Sequence, residues 1–334
     1  MEAKGVGSLK ERFLGSTIGS AMYARFIVSH YHTFARVDGG LEHRIRLPDR
    51  DLDGEFLADP FLFAWRERVW LFFEGMYKGR GDRGVAKGGI GCLCYDNGDW
   101  VYQGVVLEEP YHLSYPQVFE DEGVVYMIPE TAQAGEIALY EAVDFPMTWR
   151  KKAVLIRGKY VDSSIFHKGG EYYIVTTPDD RQSRSELWCA TALAGPWGKH
   201  PASDNVSSSP ALRRNGGAIY EEAGHVYRIA QDCDGGYGKR LYRVPVLEVS
   251  TDSYSEGTPD LLSDAISWPQ QGMHHTYNRI LVDDALFEVV DRHYNTIREP
   301  ISFLSAVMWY LIDGVRHVFR LVSGFFQFKT REMQ

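Results

Sequence analysis

The chain repeats one pattern five times, and this repeat constrains the fold more than any other feature of the sequence. Each copy is a short apolar strand, a polar turn and a second apolar strand that stops at a polar residue. The copies cover residues 59–74, 115–130, 162–177, 216–231 and 278–291, so they recur about every 50 to 60 residues. Repeated β units with little helix signal between them are typical of β-propellers, in which each unit forms one blade. The sequence therefore predicts an all-β fold, a five-bladed β-propeller.

The repeat divides the chain into a central domain and two extensions. We expect the propeller to occupy residues 46–297, since five blades of four short strands need roughly 250 to 280 residues. Residues 1–45 form a predicted N-terminal helical extension, in which apolar residues follow near-helical spacing from about Leu9 to Phe34. Residues 298–334 form a predicted C-terminal amphipathic helix.

The C-terminal helix has an apolar face that charged residues interrupt. Asp313, Arg316 and Arg320 break the apolar run, which makes a membrane-spanning helix unfavourable. Trp309 and Phe325 suit the interface of a membrane, so the helix fits peripheral contact with a membrane surface. The alternative is a helix packed on the rim of the propeller or on a partner subunit.

Composition and charge exclude some classes of protein. The net charge of −9 argues against a nucleic-acid partner, because phosphate binding needs a basic surface. The cysteines show no paired framework, and we expect Cys92 and Cys94 to be small core residues. The N-terminus lacks the compact apolar segment of a secretion signal. The expected location is therefore cytoplasmic, with peripheral membrane contact through the C-terminal helix as an option.

Polar residues occupy matching positions of the repeat. The innermost strand of each blade lines the central channel of a propeller, so residues at the same phase of each copy converge. When the copies are aligned on their first strands, one level contains Asp59, Tyr115, Asp162, Gly216 and Asn278. The second strands end at Glu74, Glu130, Thr177, Gln231 and Asp291. Carboxylates that converge in a concave site are candidates for acid, base or sugar-binding roles.

Residues that precede the first strands of two blades add candidates for substrate binding. Glu109 and His112 lead into the second blade, where Tyr115 is placed to stack on a sugar ring. A turn with a hydrogen-bonded histidine is the alternative for His112. His275 precedes the fifth copy and is a candidate for a base or for a hydrogen-bond donor to phosphate.

Two features would suit a nucleotide diphosphate. Arg214 beside Asn215 is the best candidate for a phosphate clamp, because a guanidinium group binds two phosphate oxygens in parallel. Asp232 and Asp234 follow an apolar strand, where carboxylate oxygens could hold a divalent metal, Mg or Mn, together with the donor. An ordinary acidic turn is the alternative for this pair, so no cofactor is certain.

The first and third copies resemble segments of glycoside hydrolase families 43 and 32. Asp59-Pro-Phe followed by an aromatic strand is similar to their first blade, and Asp162-Ser-Ser is similar to their third. The resemblance implies that Asp59 is a base or nucleophile and that Asp162 tunes the site. The fourth-blade glutamate that is the general acid of those families has no counterpart, since residues 214–217 read Arg-Asn-Gly-Gly. Glycoside hydrolysis normally needs two carboxyl groups, whereas a transferase with a diphosphate leaving group does not.

A closer resemblance covers about residues 50 to 295. Motifs occur in the same order as in the N-terminal domain family of glucosamine inositolphosphorylceramide transferase 1. They are Ala58-Asp-Pro-Phe, Phe73-Glu, Glu108-Glu-Pro-Tyr-His-Leu-Ser-Tyr-Pro, Ile128-Pro-Glu, Asp162-Ser-Ser-Ile-Phe, Ala230-Gln-Asp with Tyr237-Gly, and His275-Thr. The resemblance implies sugar chemistry and adds Tyr237 to the substrate-binding candidates. In the plant proteins a separate glycosyltransferase domain follows this propeller.

We predict a glycosyltransferase of glycan or glycolipid assembly that moves a sugar from a nucleotide sugar to a saccharide or lipid-linked acceptor. Asp59 is the expected base, with Asp162, Glu74 and Glu130 orienting hydroxyl groups around it. The first alternative is a glycoside hydrolase whose acid has moved to Glu109, Glu130 or a histidine. The second is a carbohydrate-binding propeller without catalytic activity.

Overall fold

Five antiparallel sheets follow one another along the chain and form the blades of a propeller. The computed structural model describes residues 27–48, 52–53, 56–77, 87–180, 184–207, 209–234, 238–268 and 273–297. The compact body that carries the sheets extends from Tyr31 to Tyr294. The predicted all-β, five-bladed architecture is confirmed.

The first three blades are four-stranded sheets built from consecutive strands. Two strands precede them, β1 (Ile27–Val37) and β2 (His43–Arg44). The first blade consists of β3 (Ala58–Trp65), β4 (Arg68–Met76), β5 (Gly88–Asp96) and β6 (Asp99–Leu107). The second consists of β7 (Ser114–Asp121), β8 (Val124–Glu130), β9 (Glu136–Asp144) and β10 (Thr148–Arg157). The third consists of β11 (Tyr160–Lys168), β12 (Glu171–Pro178), β13 (Glu186–Ala190) and β14 (Gly198–Lys199).

The fourth blade is a sheet of six shorter strands. They are β15 (Arg214–Asn215), β16 (Tyr220–Glu222), β17 (His225–Gln231), β18 (Leu241–Val249), β19 (Tyr254–Glu256) and β20 (Asp260–Leu261). Both β15 and β16 pair with β17, so together they form an inner strand that is interrupted between them. The described helices are short: 3-10 helices at Ala132–Ala134, Ser203–Asn205 and Pro210–Leu212, and α1 (Leu262–Ala265).

The fifth blade combines strands from both ends of the described chain. β21 (Met273–Val282) and β22 (Ala285–Ile297) form its inner half, and the sheet order is β2-β1-β22-β21. Spacing up to Phe34 predicted a helix where the structure has β1. The β-branched and aromatic residues of β1 favour a strand once the edge of β22 is available for pairing. The fifth sheet therefore includes residues that precede the expected domain boundary at residue 46.

The apolar core lies between neighbouring blades. The first strands of successive blades contact one another around the ring, so these strands are buried on both faces. Phe72 and Met127 pack between the first and second blades, and Ile174 packs between the second and third. Cys92 and Cys94 lie in the first of these cores as free thiols, as the sequence predicted.

Among the residues that the structure describes, no helix is long and apolar enough to span a bilayer. The predicted C-terminal amphipathic helix, residues 298–334, lies outside the described residues, as do residues 1–26. Peripheral membrane contact therefore stays a prediction.

Candidate active site

The first strands of four blades are bulged at the same place, and the bulges aim site residues at the centre of the ring. The strand register breaks after Ala58, Ser114, Val161 and His274. The next residue is Asp59, Tyr115 or Asp162 in the first three blades, and all three have left-handed backbones, with φ of 47°, 48° and 49°. Such conformations are rare outside glycine and cluster at functional sites. In the fifth blade the matching residue is His275 rather than Asn278, whose side chain bonds the backbone of the first and fourth blades.

Asp59 lies in the middle of this cluster with both carboxylate oxygens hydrogen-bonded. Thr276 donates its hydroxyl to Oδ1 at 2.6 Å, and the backbone N–H of Tyr115 donates to Oδ2 at 3.2 Å. Nε2 of His275 is 3.5 Å from Oδ1. Burial raises the pKa of Asp59 to about 7, and the charge of Glu74 adds to this effect while His275 opposes it. Asp59 is therefore a carboxyl group that exchanges its proton near neutral pH.

Asp291 and His275 hold Asp59 from the fifth blade. Asp291 accepts a bond of 2.7 Å from His275 Nδ1 and further bonds from the backbone N–H groups of Asp59, His275 and Thr276. Burial alone would lower the pKa of His275, but the charges of Asp291 and Asp59 outweigh it and raise the pKa to about 10. Burial alone would raise the pKa of Asp291, yet the His275 cation lowers it. At neutral pH a buried imidazolium thus lies between two carboxyl groups.

A second acidic centre lies where the second, third and fourth blades meet. Asp162 Oδ2 accepts bonds from Arg214 Nε at 2.5 Å and from Gln231 Nε2 at 3.1 Å. Glu130 Oε2 accepts the backbone N–H of Asp162 at 3.2 Å. Burial and the charge of Asp162 raise the pKa of Glu130 to about 8, with Arg214 opposing the shift. Glu130 is therefore mostly protonated at neutral pH.

Three residues that the sequence analysis placed in contact with substrate are buried supports instead. Asn215, Gln231 and Asp291 have no exposed surface. Asn215 donates from Nδ2 to the carbonyl oxygens of Asp162 and Val175, both at 2.8 Å. Gln231 donates to the carbonyl oxygen of Asn215 at 2.7 Å. Their side chains bond the acidic groups and the backbone around them.

Tyr115 is also a support, because its ring is fully buried. The ring packs edge-on against Phe61, with centroids 4.7 Å apart. Its hydroxyl bonds Ser164 Oγ at 3.0 Å and the carbonyl oxygen of Gly217 at 2.9 Å, and it accepts the Gly217 N–H at 2.7 Å. The predicted stacking of Tyr115 on a sugar is corrected accordingly: the side chain ties the second, third and fourth blades together across the ring.

Gly217 explains why the fourth blade lacks an acid. Its φ is 145°, and a Cβ at this position would lie 1.9 Å from the carbonyl oxygen of Tyr277. Only glycine fits so close an approach of two backbones. The break between β15 and β16 is therefore occupied by backbone that binds Tyr115 and Ser164, with no room for a carboxylate side chain.

Glu74 of the first blade and His112, which precedes the second blade, form a pair beside Asp59. Glu74 is buried, and its charge acts on Asp59. Nε2 of His112 is 3.3 Å from Glu74 Oε1, and its Nδ1 accepts the N–H of Gly88 at 3.0 Å. The His112 side chain is 24% exposed. His112 and Glu130 are therefore the two second-blade candidates of this cluster that are partly exposed.

The remaining candidates do not join the Asp59 cluster. Glu109 accepts a bond of 2.8 Å from Tyr140 on β9, in the outer half of the second blade. Asp232 is engaged by Arg240 Nη2 at 3.0 Å and by a backbone N–H of its own turn, as in the acidic-turn alternative. Tyr237 lies outside the described residues.

Sequence reasoning missed Tyr31, which belongs to β1. Its ring lies 5.2 Å from the ring of His275. Burial and the charges of Asp291 and Asp59 raise its pKa. The helical spacing placed this segment in an extension outside the propeller, so Tyr31 was not considered for the site. The strand propensity of residues 27–37 is the signal that could have identified it.

Three residues of the acidic centre carry atoms that could serve as metal ligands. Asp59, His275 and Asp291 offer ligand atoms that lie within 4.8 Å of one another. These atoms are already bonded, Asp291 Oδ2 to His275 Nδ1 at 2.7 Å and Asp59 Oδ1 to Thr276 at 2.6 Å. A cation would have to replace those bonds, so the arrangement fits an acid–base centre better than a metal centre.

Two solved structures share the fold at low sequence identity. An α-L-arabinofuranosidase from Lactobacillus brevis has a TM-score of 0.53 at 16% identity, covering 66% of this chain and 82% of that one. A variant of the GH43 protein BlXynB from Bacillus licheniformis has a TM-score of 0.50 at 15% identity, covering 66% and 49%. At these identities the likeness shows the fold alone.

Two plant proteins are similar in sequence. Glucosamine inositolphosphorylceramide transferase 1 of Arabidopsis thaliana is 35% identical over 215 residues, which are 61% of this chain and 27% of that protein. The protein of the same name from Oryza sativa subsp. japonica is 31% identical over 250 residues, 71% of this chain and 33% of that protein. The chain thus spans about a third of the length of these relatives.

One family profile matches residues 46–291. This range contains the acidic groups of the first three blades together with His275 and Asp291, and it leaves out Tyr31. Because the match covers most of the chain, the chain belongs to the family described as glucosamine inositolphosphorylceramide transferase 1, N-terminal.

Proposed function

We propose that this propeller is a glycosyltransferase that moves a sugar from a nucleotide-sugar donor to a glycan or lipid-linked acceptor. The observation that carries the proposal is Asp59, a carboxyl group held where the first, second and fifth blades meet, whose pKa is raised by burial to about 7. A general base works best when its pKa lies near the working pH. Thr276 and the Tyr115 N–H hold the carboxylate in place.

The relatives support the choice of sugar transfer and suggest the substrates. They are named as transferases of glucosamine and inositolphosphorylceramide. Since this chain spans about a third of their length, their activity is carried over as part of the proposal. The acceptor we favour is a lipid-linked inositol phosphate, and the donor is a nucleotide-activated sugar.

The proposed reaction uses Asp59 as the base. Asp59 takes the proton of an acceptor hydroxyl while that oxygen forms a bond to the anomeric carbon of the donor sugar. The bond between this carbon and the diphosphate oxygen breaks, and its electron pair leaves with the nucleoside diphosphate. Asp291 and the His275 cation hold Asp59 and keep the negative charge of the site partly neutralised.

Arg214 supplies positive charge at the second acidic centre, beside Asp162. Its side chain is 22% exposed and is paired with Asp162. Its charge also acts on Glu130. A guanidinium group in this position would stabilise the charge that develops on a departing diphosphate. A divalent cation, if the reaction needs one, would come with the donor diphosphate, since Asp232 already bonds Arg240.

Glycoside hydrolysis is the second candidate, and Glu130 is the observation that favours it. A carboxyl group with a pKa of about 8 carries the proton that a general acid needs at neutral pH. The charge of Asp59 also raises the pKa of Glu130. Glu130 could therefore act as the general acid in place of the one that Gly217 excludes from the fourth blade, with Asp59 as the second carboxyl group.

An assay with two substrate classes separates these candidates. The purified protein would be incubated with a panel of UDP- and GDP-sugars, an inositol-phosphate lipid in detergent and, separately, a panel of aryl glycosides. We expect nucleoside diphosphate release that depends on the lipid acceptor. Hydrolysis of aryl glycosides without consumption of any nucleotide sugar would overturn the transferase proposal.

The pH profile gives a second discrimination. Because the pKa of Asp59 is raised to about 7, its base form gains population as the pH rises, and transfer should increase through about pH 7. A transferase should then stay near its plateau across pH 8 to 9. A hydrolase that needs protonated Glu130 should lose activity above about pH 8 and give a bell-shaped profile. Initial rates measured at constant ionic strength from pH 5 to 9 would distinguish the two.

A further inference from the structure

Tyr31 occupies a fixed place between the fifth and first blades. The N–H of Leu57 donates to the carbonyl oxygen of Tyr31 at 2.7 Å, so β1 is tied to the entry of the first blade. The ring contacts those of Phe56, His275 and His293, with centroid distances of 5.3, 5.2 and 4.9 Å. Rings on three sides leave the side chain little freedom.

The hydroxyl of Tyr31 differs from those of Tyr115 and Tyr277, whose rings are fully buried. Tyr115 and Tyr277 bond acceptors in the protein, Tyr277 through Glu288 Oε1 at 2.6 Å. Within the described residues, the Tyr31 hydroxyl has no hydrogen-bond partner, and Tyr31 is only partly buried. A phenol that is held rigidly and left unpaired is ready to bond a ligand.

The surroundings of Tyr31 are those of the acidic centre. His275, which its ring contacts, is 3.5 Å from Asp59. The charges of Asp291, Asp59 and Glu74 all act to keep its hydroxyl protonated, with Arg214 opposing them. Tyr31 therefore adds a neutral donor to a cluster whose other accessible groups are charged or acidic.

We propose that Tyr31 is a substrate-binding residue whose hydroxyl donates a hydrogen bond to an oxygen of the sugar that occupies the Asp59 site. This inference deepens the proposed function and rests on it for the presence of a sugar. A carboxylate cluster accepts hydrogen bonds from sugar hydroxyls, and Tyr31 supplies the complementary donor. The strand that closes the ring would thereby also complete the binding site.

Binding of simple glycosides tests the proposal without requiring transfer. Methyl glycosides of glucose, glucosamine, galactose, mannose and arabinose would be titrated into the wild-type protein, Tyr31→Phe and Tyr294→Phe by ligand-observed NMR. Tyr294 is the matched control, because it lies in the same blade and its ring contact is with His32. We expect Tyr31→Phe to weaken the best glycoside by about 2- to 12-fold, the effect of one neutral hydrogen bond, and Tyr294→Phe to leave it unchanged.

Deoxygenated glycosides identify the bond. Removing the one sugar oxygen that accepts the bond should weaken binding to the wild-type protein by the same factor as Tyr31→Phe does. The affinity of the Tyr31→Phe variant should be the same for that deoxygenated analogue and for the parent glycoside. The proposal would be overturned by equal glycoside affinities of wild type and Tyr31→Phe, or by no binding of any glycoside to the wild type. It would also be overturned if every deoxygenation weakened binding equally in wild type and in Tyr31→Phe. Glycoside binding that depends on Tyr31, without any nucleotide-sugar turnover, would instead sustain it and refute the transferase activity.

Discussion

Asp59→Asn is expected to lower the rate of sugar transfer by about 10²- to 10⁴-fold, the contribution typical of a general base. Asparagine keeps the shape of the side chain and tolerates the left-handed backbone that this position requires, with φ of 47°. Its amide oxygen can still accept the bond from Thr276, although the Tyr115 N–H loses its acceptor. The change therefore removes the proton acceptor while leaving the bulge of β3 intact.

Asp283→Asn is the matched control for this substitution. Asp283 has the same φ of 47° and lies in the exposed turn between β21 and β22. We expect it to keep full activity. Initial rates should be compared at a pH above 7, where the wild-type carboxylate is mostly ionised. Activity of Asp59→Asn within a few fold of wild type would remove Asp59 from the role of base.

Asp291→Asn is expected to destabilise the fold by about 3 to 5 kcal/mol, the usual cost of removing one partner of a buried ion pair. The carboxylate accepts the His275 side chain and three backbone N–H groups. An asparagine NH₂ group would face at least one of these donors, and the His275 cation would lose the nearer of its two buried carboxyl partners. Urea unfolding measures the change in the free energy of unfolding directly.

The pH dependence of that change has a defined sign. Because the pKa of Asp291 is lowered from its usual value of 3.8, its contribution is present above that pH and is lost as the pH falls further. Because the pKa of His275 is raised from 6.5 to about 10, its contribution is full below pH 6.5 and is lost as the pH rises towards 10. The difference between wild type and variant should therefore be largest between about pH 4 and 6.5.

Asp121→Asn is the control for Asp291→Asn. Asp121 accepts one bond of 2.6 Å, from the hydroxyl of Tyr172, at the partly exposed end of β7. Its replacement should cost about 1 kcal/mol or less, since an amide oxygen can accept the same bond. Equal destabilisation by the two substitutions would show that Asp291 is not a buried centre of charge.

The order of the blades and the identity of the central acids are local properties of the sequence. The period of the repeat and the apolar strands that end in polar residues predicted five blades, and the same phase in each copy picked out Asp59 and Asp162. Residues at one phase occupy equivalent places in a ring, so this inference needs no knowledge of packing. In the fifth copy the same alignment predicted Asn278 at the centre, but the bulge in β21 places His275 there.

Tertiary structure decided which polar residues are supports and which face a ligand. Tyr115 and Gln231 match the pattern of site residues, yet both are fully buried. Tyr115 bonds the backbone of the fourth blade, and Gln231 bonds Asp162 of the third blade and the backbone of its own. Tyr31 shows the reverse, since its segment has helical spacing and becomes a strand only when the edge of β22 is present to pair with it. The phase of the repeat and the strand pattern depend on residues that are close together in the chain, so the sequence alone predicts them. Burial, pairing across the ring closure and the pKa values of Asp59 and Glu130 arise from residues far apart in the chain, and only the folded ring brings them together.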